Sequence, residues 1–249
     1  MKKFHLRSFS KRFATLGVMA VMAVGALVPA TVFAAPASPT KCAAGDTACV
    51  IAVGDKLISE RQTALTKLNT AISTDLTAKK INSDQASALQ SNVTTNQTGL
   101  TNLKTKLDAE TSAKAARADV ANIFSQLRIF AVVLPRDYRH LQLNIEQNVK
   151  ALMQSVAPGI QDAIAKAPAA KQAQLKELFK DYQQQVAAAE SQVDIAQNDF
   201  PAMTPENFNL NRATYEQTRK AVVDSVKDAR TDLHKAADDL KKMTNILGV

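Results

Sequence analysis

The side chains with the most chemical reach gather around Pro135: Arg128, Arg136, Asp137, Tyr138, Arg139 and His140. Arginines grouped in this way hold carboxylate, phosphate or headgroup oxygens through charge-assisted hydrogen bonds, so Arg128, Arg136, Arg139 and His140 form a candidate contact surface. A plainer role is open to the same residues. Asp137 suits the N-cap of a following helix, and arginines near a helix end pair with the dipole and with acidic neighbours.

Cys42 and Cys49, with six residues between them, are the other candidate pair. A disulfide there would close a small loop ahead of the first long helix and contribute about 2 to 3 kcal/mol by loop entropy. A redox CxxC pair has only two intervening residues, and a zinc site needs four ligands, whereas the nearest histidine beyond the signal segment is His140. The residues before Cys42, Ser38-Pro39-Thr40-Lys41, lack the apolar-then-small pattern of a lipid-attachment cysteine. His234 sits among Asp232, Lys235 and Asp238 and is expected at the surface. Neither His140 nor His234 has the i, i+4 partners of a helical metal site, so no metal and no cofactor is expected. There is no Gly-x-Ser-x-Gly elbow and no cysteine close to a histidine, and the expectation is a protein without catalysis.

Hydrophobic spacing defines the elements that must position these residues. From about 46 to 79 the residues Ile58, Leu65, Leu68, Ile72 and Leu76 recur at three and four, as on an amphipathic helix. Asn82 followed by Gln85 is a capping-box pair that starts a second helix. Its stripe, Ala86, Leu89, Val93, Asn96, Leu100, Leu103 and Leu107, has coiled-coil spacing. The short connection makes the two an antiparallel hairpin. A third helix carries Val120, Ile123, Phe124, Leu127, Phe130 and Leu134 and is expected to end at Pro135. A fourth runs from about 138 to 166, with a kink or break at Pro158. A fifth, entered at Pro168, shows Leu175, Leu178, Tyr182, Val186, Ala189, Val193 and Ala196. After a loop over 199–208, a sixth carries Val222, Val226, Ala229, Leu233, Ala236, Leu240, Met243 and Leu247. Nothing supports strands: alternating runs are absent and glycines are few. The fold class is all-α, an antiparallel coiled-coil hairpin plus a helical bundle of about six helices. The expected domains are a signal peptide at 1–34, an extended leader at 35–45, the hairpin at 46–110, and a bundle at 111–249 packed with it.

The amino terminus bears on compartment. Lys2, Lys3, Arg7, Lys11 and Arg12 precede an apolar run from Ala14 to Val28, Pro29 breaks it, and Val32-Phe33-Ala34 offers a cleavage site before Ala35. This is the charge order of a secretory signal peptide. The alternative is an uncleaved anchor, since Ala14 to Ala34 meets the length of a bilayer span. Cleavage after Ala34 removes five of the 31 basic residues, leaving 26 against 23 acidic ones and a charge of +3 in place of +8. Lysines and arginines then interleave with acids, as from Lys220 to Lys242. This is the pattern of solvated helix faces, and no nucleic-acid partner is expected.

The segments IFSQLRIFAVVLPRDY (Ile123 to Tyr138), LKTKLDAETSAKAARADV and MTPENFNLNRATYEQTRKAVVDSVKDARTDL carry a resemblance over most of the chain beyond the signal. It resembles a family of uncharacterised exported α-helical proteins from candidate-phylum, Saccharibacteria-like bacteria. The resemblance implies export and helical architecture and carries over no catalytic residue. The cysteine pair is not part of that family pattern.

Two functions follow as expectations. The first is an exported cell-envelope or cell-surface protein, extracellular or in a periplasm-like space, with a structural or protein-interaction role and a protein partner or self-association. The alternative is a periplasmic-type chaperone or small-molecule or client binder, using an apolar surface such as Phe124, Phe130, Val132, Val133 and Phe179. An enzyme is a distant third.

Overall fold

A computed structural model describes residues 42–248. The signal peptide at 1–34, the choice between cleavage and anchoring, and most of the leader lie outside the described residues. Within them the chain is all-α, with no strand. The helices are α1 (Thr47–Thr77), α2 (Ser83–Asp108), α3 (Ala113–Asn122), α4 (Leu134–Lys166), α5 (Ala169–Asp199), α6 (Pro205–Leu210) and α7 (Arg212–Leu247). Six of these match the expected helices, and α6 is a short addition.

Local chemistry explains the ends of the hairpin. Asp46 caps α1 by accepting from the Cys49 amide at 2.9 Å. The Asn82 side chain accepts from the Gln85 amide at 2.9 Å, and Gln85 accepts from the Asn82 amide at 3.0 Å, so the capping box is complete. Lys79, left-handed at φ 57°, turns the chain between α1 and α2. The stripe on α2 buries Ala86, Leu89, Val93, Leu100 and Leu107 against Ile58, Leu65, Leu68 and Ile72 of α1's core face, whereas Asn96 and Leu103 are half-buried. Helix α3 packs on α1 at Gly54. A Cβ at that position would collide with the Leu107 side chain and come within 2.9 Å of Val120, so this close approach requires glycine.

The chain divides into two compact units, and their boundary does not follow the expected one at 110. One unit runs up to Asn144 and takes in Gln197–Val223; the other comprises Ile145–Ala196 and the helix from Asp224 onward. The reason is covalent: α4 and α7 are unbroken helices, and each gives its first turns to the former unit and the rest to the latter. In the second unit Leu175, Tyr182, Val186, Ala189, Val193 and Ala196 of α5 are buried as spaced, except that Phe179 takes the inward position expected of Leu178. Val226, Ala229, Leu233, Ala236, Leu240 and Met243 are buried from α7. Its buried polar groups are closed: the Tyr182 hydroxyl donates to the Met153 carbonyl at 2.7 Å, and Arg230 Nε donates to Glu146 at 2.8 Å. The proline at 158 does not break α4. Pro158 is exposed and the helix continues through it, so the missing amide interrupts one hydrogen bond and not the element.

Candidate functional site

The region around Pro135 departs most from its expected form. Helix α3 stops at Asn122, and two wide π-turns follow, Ile123–Leu127 and Ile129–Val133, joined at Arg128 in the left-handed conformation with φ 42° and ψ 39°. The third helix therefore ends well before Pro135. Pro135 is instead the second residue of α4, where a helix has no amide bond to lose. Asp137 consequently lies inside the first turn and is not an N-cap. The expected loop over 199–208 is also helical in part: a 3-10 turn at Phe200–Ala202 precedes α6, which Thr204 caps by accepting from the Asn207 amide at 3.1 Å.

The four residues expected to share a contact surface are each engaged within the chain. Arg128 Nε donates to Asn209 Oδ1 at 2.5 Å, and its guanidinium lies 4.4 Å from the centre of the Phe208 ring. Arg136 Nε binds Asp137 Oδ1 at 2.7 Å, and Arg139 donates to Gln142 Oε1 at 2.6 Å. His140 packs against Phe200 with ring centres 4.9 Å apart. They form two settings rather than one surface.

The inner setting contains Arg136, Asp137 and His140, with Tyr215. Burial pushes the Asp137 carboxyl above the usual carboxylate range, and Arg136 and His140 pull it back. Burial likewise holds the His140 imidazole below its usual range, opposed by Asp137 and assisted by Arg136. The Tyr215 phenol, buried against Phe208 in an edge-on contact of 5.1 Å, is pushed up to about 12, mainly by burial. Asp137 Oδ2 and the Tyr215 hydroxyl are both buried without a hydrogen-bond partner. A carboxyl raised and an imidazole lowered by the same burial, on neighbouring turns of one helix, is a pairing found at functional sites and in structural ion-pair networks alike.

The outer setting is built on the π-turns. Asn209, at the end of α6, donates to the Ser125 carbonyl at 2.6 Å while accepting from Arg128. The Arg212 guanidinium also lies over Phe208, 5.3 Å from the ring centre. On the other flank Arg61 of α1, itself only 2% exposed, lies between Phe124 and Phe130, with its guanidinium 4.9 and 4.8 Å from the ring centres. Its Nη1 donates to the Leu57 carbonyl at 2.8 Å, and its Nε is buried without a partner. Among the described residues none of Arg61, Arg128 and Arg212 has a carboxylate within ion-pair distance. Three cations on aromatic faces, rather than on acids, distinguish this region.

Arg61, Asn209 and Arg212 were missed by sequence reasoning. Arg61 had a readable signal, because it falls in register with Leu57, Ile58, Leu65 and Leu68, where a cation is out of place on a buried stripe. The apolar surface imagined for a client is not one: Val132, Val133 and Phe179 are buried. His234 is exposed, as expected. Cys42 and Cys49 form a disulfide with Cα atoms 5.7 Å apart. Arg117 Nη2 clamps that loop to α3 by donating to the Cys42 carbonyl at 3.1 Å and the Ala43 carbonyl at 2.9 Å.

By architecture the chain is an all-α protein with a helical hairpin and helices that pack through apolar stripes. No protein-family model matches it, and neither a curated protein nor a solved structure does.

Proposed function

We propose that this chain is an exported cell-envelope or cell-surface protein whose role is structural and interactive rather than catalytic. The observation that carries the reading is the outer setting of Arg128 and Arg212 on Phe208. Cations left without acids inside the molecule are available to acids outside it, and their aromatic supports hold them in place. Export is supported by the Cys42–Cys49 disulfide, since such bonds persist in oxidising compartments. The signal-like order of charge and apolarity at 1–34 points the same way.

The test is to express the full chain with a carboxy-terminal tag in an export-competent bacterium and to fractionate the cells. The expected result is an extracytoplasmic chain whose cysteines resist alkylation until reduced. Its amino terminus should begin at Ala35. A chain confined to the cytoplasm with free thiols would overturn the reading. Light scattering on the exported form then separates self-association from a role that needs a different partner.

A further inference from the structure

Three large apolar side chains are exposed among the described residues: Phe124, Ile195 and Leu210. Phe124 and Leu210 are neighbours of one bonded pair, because Asn209 next to Leu210 donates to the carbonyl of Ser125 next to Phe124. Phe124 is 39% exposed and Leu210 is 75% exposed. The unpaired arginines belong to the same place. Arg128 lies between the two π-turns and on Phe208, and Arg212 follows Leu210 by two residues and covers the same ring. The carboxylate on α6 is Glu206, in its first turn, at the opposite end of that helix from Leu210.

Apolar side chains in the open beside cations without acids fit the layer where acyl chains meet phosphates. There leucine and phenylalanine leave water, and arginine meets phosphate oxygens with its stem along apolar surface. An acidic protein would satisfy the arginines but would leave Leu210 without a reason to be exposed. The backbone argues for lying on a membrane rather than crossing it. Within Ala113–Lys166 an 18-residue window is apolar enough for a span by composition, and 33% of it is buried. Two π-turns and a left-handed residue interrupt that helical run, whereas a span needs its backbone bonded within a continuous helix.

We infer that α6 and the π-turn segment beneath it form a peripheral docking face for an anionic lipid bilayer, with Phe124 and Leu210 entering the interfacial layer and Arg128 and Arg212 meeting lipid phosphates. The inference rests on the interaction reading above and names its partner. It concerns this face alone and is independent of the segment at 1–34.

The chain contains no tryptophan, so Leu210→Trp places a single indole at the face. In the full chain, that indole is titrated with phosphatidylglycerol vesicles, pure phosphatidylcholine vesicles and soluble polyglutamate. The expected result is a blue shift, quenched by brominated acyl chains, with phosphatidylglycerol vesicles only. Half-saturation should move to at least about tenfold more lipid when Arg212→Glu is added, since each basic residue near an anionic surface contributes about 1 kcal/mol and the change reverses one charge. Arg212 is exposed at the start of α7, where a carboxylate favours the helix, and unchanged circular dichroism verifies the fold. The inference is overturned by an unshifted indole, by an equal response to phosphatidylcholine, or by an equal response in the Arg212→Glu background. A shift with polyglutamate and none with vesicles also overturns it, in favour of an acidic protein surface. Each of those outcomes leaves the fractionation and thiol results untouched, so the two readings fail separately.

Discussion

Helix α5 and the segment Ile123–Val133 both bury large apolar side chains, yet one is a regular helix and the other is not. On α5 the large residues return at three and four with alanines between them, so one stripe holds most of them, with Leu178 half-buried and Ile195 alone exposed. From 123 to 134 the chain offers Ile123, Phe124, Leu127, Ile129, Phe130, Val132, Val133 and Leu134, more apolar residues than one helical stripe accommodates. The backbone widens into π-turns with a single left-handed residue at Arg128, and Ile123, Ile129, Val132, Val133 and Leu134 lie inward while Phe124 is left out. The lesson is that density of apolar residues, and not only their presence, decides whether a helix stays regular. Where density exceeds a stripe, the surplus reaches the surface and is available for contact.

The sharpest way to break this comparison is to truncate one residue from each region and measure denaturant unfolding. Leu175→Ala, on α5, is expected to cost about 3 kcal/mol as a fully buried side chain, against less than about 1 kcal/mol for Phe124→Ala. Equal losses would mean that Phe124 is part of the core after all. Gly54→Ala comes next, at about 2 kcal/mol, because Leu107 and Val120 must shift; thermal melting measures it, and an unchanged midpoint would show that α1 and α3 separate easily.

Arg61→Met is expected to change stability by no more than about 1 kcal/mol in either direction. The aromatic contacts and one hydrogen bond are offset by the cost of burying a charge that no carboxylate pairs at ion-pair distance. A loss well above that would make the phenylalanine sandwich a principal support of the segment. The smallest effect concerns pH. Burial raises the Asp137 carboxyl, so its contribution to stability is present below the ordinary carboxylate range and is lost as pH rises through its elevated value. His140 is shifted downward, so its contribution is lost as pH falls below the ordinary imidazole range. Asp137→Asn should flatten the acidic limb of a stability profile and His140→Gln the limb near neutrality. Profiles parallel to that of the unaltered chain would mean that neither side chain is desolvated.

Much of the fold was legible because its causes are local. The capping box at Asn82 and Gln85, the hairpin turn and the stripes on α2, α5 and α7 each depend on residues within a turn or two of one another. The π-turn segment was not legible, because its helix was expected to be stopped by proline. In fact Arg128 interrupts it, and the Asn209 side chain that bonds Arg128 lies 81 residues away in sequence. Asp137 was misassigned for the same reason: once α4 begins at Leu134 rather than near Tyr138, the carboxylate falls inside the helix and turns inward. Of the candidate residues, Arg128 is held within the chain by Asn209 and Phe208, and these partners and Arg212 come from the far side of the chain, beyond any local pattern.

The disulfide and the Arg117 clamp have a mechanical consequence. Cys42 is tied covalently to α1 at Cys49, and its carbonyl is tied to α3 by Arg117. A pull on the chain ahead of Cys42 therefore loads two helices at once. Reducing the bridge would send that load to α1 through the backbone between the two cysteines, a slack link that must straighten first, and would leave the Arg117 hydrogen bonds as the remaining tie to α3.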